Sequence, residues 1–205
     1  MQYPNQKIEN EYRRKGYRLI AGADEAGRGA WAGPIVAAAV ILPANNSLPG
    51  LRDSKLLSPR HREQLCDEIC GQALAYQICS ISSAEIDRVG VGEANIRVIA
   101  HALELLPKLP HVALVDGTLK IALNIPVHSI IDGDAQIMSI AAASILAKVF
   151  RDRMMVHYDR RYPLYRFAQH KGYGTAWHQR ALRQHGASPI HRRSYAPIRA
   201  IVQRG

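Results

Sequence analysis

Apolar runs closed by glycine or proline alternate along this chain with stretches in which apolar residues recur every three or four positions. Residues 17–23 and 35–42 are rich in small and β-branched residues and predict two strands, an antiparallel pair around the 24–33 loop. Ser58-Pro59 supplies a cap and a first turn for a helix over 59–73, with Leu65, Ile69 and Ala73 on one face. Residues 75–81 predict a third strand, Ser83-x-Glu85 opens a short helix, and residues 93–106 predict a longer one stopped by Pro107. Val112-Ala-Leu-Val115 is a fourth strand, closed by Asp116-Gly117, and residues 127–131 are a fifth. One long helix is expected over 135–158. Its Ile140-Ala-Ala-Ala-Ser-Ile-Leu-Ala147 segment is small enough to pack closely on a sheet and reads as core. Thr175 caps a further helix that ends at Gly186. The order β-β-α-β-α-α-β-β-α, with a helical tail, predicts an α/β domain: a mixed five-stranded sheet flanked by helices over residues 1–162, and a small helical part over 163–205.

Composition adds a partner class. With 47% hydrophobic residues in 205, the chain can bury a sizeable core. Residues 1–16 are polar and charged, which is not the pattern of a secretory signal, and the longest apolar run is too short to span a bilayer. A cytoplasmic, monomeric protein is therefore expected. Cys66, Cys70 and Cys79 show neither a disulfide framework nor zinc spacing. The net charge of +10 is unevenly placed. Residues 151–205 hold twelve Lys/Arg against Asp152 and Asp159, so the rest of the chain is neutral. A neutral body with a basic end suits a polyanion, although a solvated basic face is the plainer alternative.

The candidate chemistry is acidic. Asp24-Glu25 and Asp116 each close an apolar strand, and Asp134 precedes the long helix. Asp24 and Glu25 point to opposite faces if the strand continues and converge if it turns. Asp134 also has an ordinary reading as a helix cap. If the two strands are neighbours, carboxylates gather at one sheet edge and repel one another unless cations lie between them. Magnesium is such a cation, and a pair of ions can activate water for phosphodiester hydrolysis. Lys55, Lys148, Lys171, Arg192 and Arg193 are candidates for phosphate contacts. Asp152, four residues after Lys148, is placed to pair with it on the helix.

Asp24-Glu25-Ala26-Gly27-Arg28-Gly29, Asp53-Ser54-Lys55, Val115-Asp116-Gly117 and Gly133-Asp134 resemble the type 2 ribonuclease H family (ribonuclease HII). So do Ala141-Ala142-Ala143-Ser144-Ile145-Leu146-Ala147-Lys148, His170-Lys171-Gly172-Tyr173-Gly174 and His191-Arg192-Arg193-Ser194. The blocks stand in the family's order from residue 18 to about 198. The resemblance implies a ribonuclease H-like fold that cleaves RNA joined to DNA. It further implies incision 5′ to a single ribonucleotide in duplex DNA, leaving 3′-hydroxyl and 5′-phosphate ends. Its pattern makes Asp24, Glu25, Asp116 and Asp134 both the catalytic residues and the ligands of two Mg2+ or Mn2+ ions. It assigns Gly27, Arg28 and Gly29 to the ribose 2′-hydroxyl and Tyr173 to the RNA–DNA junction. Read from its neighbours alone, Tyr173 is as readily a loop aromatic covering the core. Ala30, Leu56 and Asp132 depart from the family's usual Pro, Lys and Lys. Asp132 is expected to alter metal affinity or pH dependence. A type 3 ribonuclease H fits the Gly-Arg-Gly block less well. A non-catalytic nucleic-acid-binding protein would have no need of the four acids.

Overall fold

Every side chain of Ile35-Val-Ala-Ala-Ala-Val-Ile41 is buried, which requires cover on both faces of the strand they form. The computed structural model describes residues 3–51 and 57–202, and Asp53, Ser54, Lys55 and Leu56 lie outside them. β1 (Ile20–Ala26), β2 (Ile35–Ile41) and β3 (Ala75–Ile81) form an antiparallel meander. β4 (Val112–Asp116) and β5 (Val127–Ile130) continue the sheet in parallel from the other side of β1, giving the order β3-β2-β1-β4-β5.

Helices cover both faces. α3 (Ser83–Val89) and α4 (Val91–Glu104) pack with Ile86, Val98 and Ile99 against Ala21, Ala23, Ala37 and Ala39. α2 (Pro59–Gln72) and the 24-residue α6 (Met138–Arg161) pack with Leu65, Ile69, Ala142 and Leu146 against Ala38 and Val40. The expected caps operate. Ser58 accepts a hydrogen bond from the His61 N–H and Thr175 accepts one from the His178 N–H. Beyond α6 lie α7 (Phe167–His170), α8 (Ala176–His185) and α9 (Ala196–Val202). Phe167, Leu182, Ile190 and Ile198 share a separate apolar cluster with Met155 of α6 and with Ala32. No helix among the described residues is long and apolar enough to cross a membrane.

Several boundaries shift by a few residues, and three departures from the sequence expectation matter for the site or its frame. β1 runs through Asp24-Glu25 to Ala26, because β2 pairs with it along that whole length. The long helix is broken at Ile137, whose extended backbone separates a single turn, α5 (Gly133–Gln136), from α6. An N-terminal helix, α1 (Lys7–Arg14), was not legible in its polar sequence. It is held by a buried carboxylate: Glu9 Oε1 accepts from both the N–H and the hydroxyl of Ser139, 3.0 Å each, at the start of α6.

The contact that fixes the site is between β1 and α6. A Cβ on Gly22 would stand 2.2 Å from the Ser139 carbonyl carbon and 2.4 Å from the Ile140 nitrogen. Backbone therefore lies on backbone at Gly22. Gly22→Ala must push the two elements apart, and a loss of about 3 kcal/mol is expected, the upper end of ordinary overpacking. Urea unfolding of the variant measures it, and an unchanged midpoint would contradict the close approach.

Candidate active site

Strand alternation from Gly22 settles where the first two acids point. Asp24 lies on the α6 side, where the Ser144 hydroxyl bonds to its carboxyl. Its Oδ1 also accepts the Glu25 N–H at 2.7 Å. Glu25 faces the α4 side and is held near Arg28. Buried Asn95 of α4 stands close enough to favour the charged form of Glu25. Neither of its amide atoms completes a hydrogen bond of ordinary geometry.

β4 brings the third acid. It pairs with β1 in parallel up to Ala23↔Val115, so the same register carried one residue further sets Asp24 beside Asp116. Asp116 Oδ1 accepts the Gly133 N–H at 2.7 Å and lies 3.4 Å from the Asp134 nitrogen. The cap of α5 is thus supplied by Asp116, while Asp134 sits buried inside its first turn. The N-cap residue itself, Asp132, has a left-handed backbone and an exposed side chain that caps nothing.

Asp24, Glu25 and Asp116 line one pocket with Gly27, Arg28, Gly29, Ser144, Lys148 and Tyr173. Burial, then the charges of Glu25 and Asp116, holds the Asp24 carboxyl well above the ordinary carboxylate range. Burial also raises Glu25, with Arg28 opposing. Among the described residues no three His, Cys, Asp or Glu side chains are arranged so that they could hold one metal ion together. An open set of hard oxygen donors fits Mg2+ or Mn2+, ions of a kind that take one or two carboxylates and complete their shell with water and substrate phosphate. A cation there would also offset the repulsion that raises Asp24.

The loop above the acids is built on two buried guanidiniums. Gly27 has φ +90°, and a Cβ on it would collide with Arg151 Nε at 1.8 Å. Arg151 donates to the carbonyls of Pro34 (3.0 Å), Lys171 (3.0 Å) and Ala32 (3.2 Å) and lies under the Tyr173 ring at 5.4 Å. Arg192 donates to the carbonyls of Gly33 (3.0 Å) and Arg28 (2.8 Å), and the Tyr195 hydroxyl also donates to Arg28 O. At 0% exposure Arg192 has no surface for the expected phosphate contact. It is part of the loop's frame. Gly29, by contrast, is exposed, has no unusual φ, and a Cβ there would meet nothing within 4 Å.

The other expected basic contacts lie in different places. Lys148 pairs with Asp152 at 2.6 Å, as the spacing suggested. It lines both the acid pocket and a neighbouring groove with Arg62, Arg153 and Lys171. The Lys171 ammonium bonds the Ala168 carbonyl. Arg193 is exposed, with its N–H bonded to Asp87 at 2.8 Å. Lys55 lies outside the described residues. Sequence reasoning passed over Ser144, although it is the one polar residue in an apolar run. Nothing in the sequence marked Arg151 or Asn95.

The family model described as Ribonuclease HII matches residues 21–198. The ribonuclease HII of Desulfitobacterium hafniense (strain DSM 10664 / DCB-2) is 54% identical over 183 residues, 89% of this chain and 70% of that protein. The crystal structure of ribonuclease H2 from Pyrococcus horikoshii OT3 superposes with a TM-score of 0.78 at 28% identity, covering 91% of this chain and 98% of that one. Bst-RNase HIII, solved in complex with Mn2+, shares the fold at a TM-score of 0.69 and 20% identity, over 91% and 71% of the two chains.

The raised Asp24 contributes to the pH dependence of the metal-free protein. Between the ordinary carboxylate range and the raised value, the folded state keeps a proton that the unfolded chain has released, so stability falls as pH rises through that window. In EDTA, thermal melting of Asp24→Asn is expected above wild type at neutral pH, with a flatter pH profile. A variant that melts lower at every pH would remove this account of the site.

Proposed function

The chain belongs to the ribonuclease HII family, metal-dependent hydrolases that cleave the RNA of RNA–DNA hybrids, and on that premise we propose that it incises duplex DNA 5′ to a single embedded ribonucleotide. The products are 3′-hydroxyl and 5′-phosphate ends. The observation that carries this reading is Gly29, a glycine the fold does not require, set open beside three carboxylates. A backbone without a side chain at that point lets a ribose come within hydrogen-bond reach of the 27–29 main chain. The 2′-hydroxyl is the one group that separates a ribonucleotide from its deoxy neighbours.

Each residue then has a defined task. Asp24, Glu25, Asp116 and Asp134 hold the cations, two by the family's pattern. Bound there, such cations would supply an activated water and charge stabilisation at the leaving oxygen. Gly27, Arg28 and Gly29 receive the ribose. The exposed Tyr173 ring, stiffened from below by Arg151, packs on the sugar that follows. Lys148 draws the scissile phosphate toward the acids, its charge kept by Asp152 against the burial that lowers its pKa. The groove holding Arg62, Arg153 and Lys171 continues the basic track. Residues 163–205 contribute Lys171, Tyr173 and Arg193 to substrate binding. Because three carboxylates border a basic groove, the pocket binds a polyanion only with cations present.

An end-labelled duplex with one ribonucleotide, incubated with and without Mg2+ or Mn2+ beside an all-DNA control, tests the proposal. Metal-dependent incision 5′ to the ribonucleotide is expected, and binding without incision would favour a non-catalytic protein. Asp116→Asn keeps the oxygen that caps α5, so it is expected to fold while losing about a thousandfold in rate, ~4 kcal/mol of transition-state stabilisation. Gly29→Ala is expected to leave unfolding within about 0.5 kcal/mol of wild type, as an open surface position should. The same change should slow incision at the single ribonucleotide roughly 10- to 100-fold, the cost of a slightly misplaced substrate. Full activity in either variant counts against its assigned task.

A further inference from the structure

Beneath the 170–175 turn that carries Tyr173 lies a chain of buried polar groups that the reaction chemistry above does not use. Ser188, His191 and His178 are all buried. The Ser188 N–H stands 2.9 Å, and its hydroxyl 2.7 Å, from His191 Nδ1. His191 Nε2 is 2.9 Å from His178 Nε2, and His178 Nδ1 is 2.9 Å from the Tyr173 carbonyl oxygen. The ring of His170 stacks on His178 with centroids 4.4 Å apart, and its Nδ1 accepts the Gly172 N–H.

Both ends of this chain are main-chain groups whose polarity cannot change. The Ser188 N–H can only donate, so His191 Nδ1 is unprotonated and a neutral His191 carries its proton on Nε2. That proton is donated to His178 Nε2. The His178 proton is then on Nδ1, facing a carbonyl that can only accept. One proton arrangement satisfies every link, and a charged imidazole at either position would set donor against donor. Burial pushes His178 down to about 4 and His191 down to about 3, so both rings stay neutral in ordinary buffers.

We infer that Ser188, His191 and His178 form a tautomer-locked relay that positions Tyr173 from below, making the two histidines positioning residues for substrate selection. The inference rests on the reading of Tyr173 as a substrate contact. The turn is clamped on two sides: Arg151 holds the Lys171 carbonyl and the relay holds the Tyr173 carbonyl. The backbone that bears the phenol therefore has no freedom to tilt. In the neighbouring loop the Trp31 N–H bonds the Gly172 carbonyl at 2.8 Å, a further tie between this turn and the 27–34 loop.

The test is a double-mutant cycle on incision at a single ribonucleotide, using Tyr173→Ala, His191→Leu and the two combined. Acting through Tyr173, His191→Leu is expected to lower kcat about 100-fold in the wild-type background, the cost of a misplaced contact. It should cost no more than about twofold once Tyr173 is alanine. Equal losses in both backgrounds overturn the relay. If Tyr173→Ala alone has no effect, the reading of Tyr173 fails first and the relay has nothing to position. If His191→Leu does not fold, His191→Gln and His191→Asn replace it. The glutamine amide reaches His178 while the asparagine amide reaches only Ser188, so glutamine should retain the activity that asparagine loses, and equal activity overturns the inference. Imidazole 15N spectra of the wild-type protein give an independent reading. His178 protonated on Nδ1 and His191 on Nε2 is the expected pattern, and any other overturns it.

Discussion

The site depends on how closely α6 lies on β1. At Gly22 the two backbones touch, and two residues further along the same strand face Asp24 meets Ser144. A side chain at Gly22 would lift the helix and take that hydroxyl from the carboxylate. The alanines of α6 serve the same end, since each keeps the helix low on the sheet without filling the space that an acid needs. Close packing of small residues therefore sets the electrostatics. It buries Asp24 near two other acids, whose charges oppose its ionisation.

A second constraint is a pair of buried charges held mainly by main-chain oxygens. Arg151 and Arg192 are fully buried and donate hydrogen bonds to main-chain carbonyls and, from Arg192, to the Tyr195 hydroxyl. Each guanidinium has several donors in a plane, and the loop of residues 27–34 turns its carbonyls inward to meet them. The glycines of the loop follow from this arrangement. Gly27 exists to clear Arg151, and only Gly29 is left for another purpose.

Much of this was legible in the sequence because it follows from period and punctuation. Alternating small and β-branched runs gave the five strands, and Ser58, Thr175 and Gly186 marked helix ends that the structure keeps. The acids showed themselves by closing apolar strands. What stayed hidden was the fate of individual charges. Glu9 lies in a polar octapeptide and yet is buried as the cap of another helix 130 residues away. Arg192 counts toward a basic tail but belongs to the interior. Charge counting sees neither, because burial of a single polar group is decided by partners distant in the chain. The break at Ile137 was hidden for a related reason: Asn5, distant in the chain, bridges its extended backbone, bonding to the Gln136 carbonyl and the Met138 N–H.

The frame of the 27–34 loop also has a consequence in time. Arg192 reaches back across 159 residues to Gly33 and 164 residues to Arg28. A ribosome delivers the strand bearing Asp24 and Glu25 well before Arg192, and contacts so distant in sequence form late in folding. The acids can therefore be mounted on a nascent sheet well before the loop beside them acquires its shape.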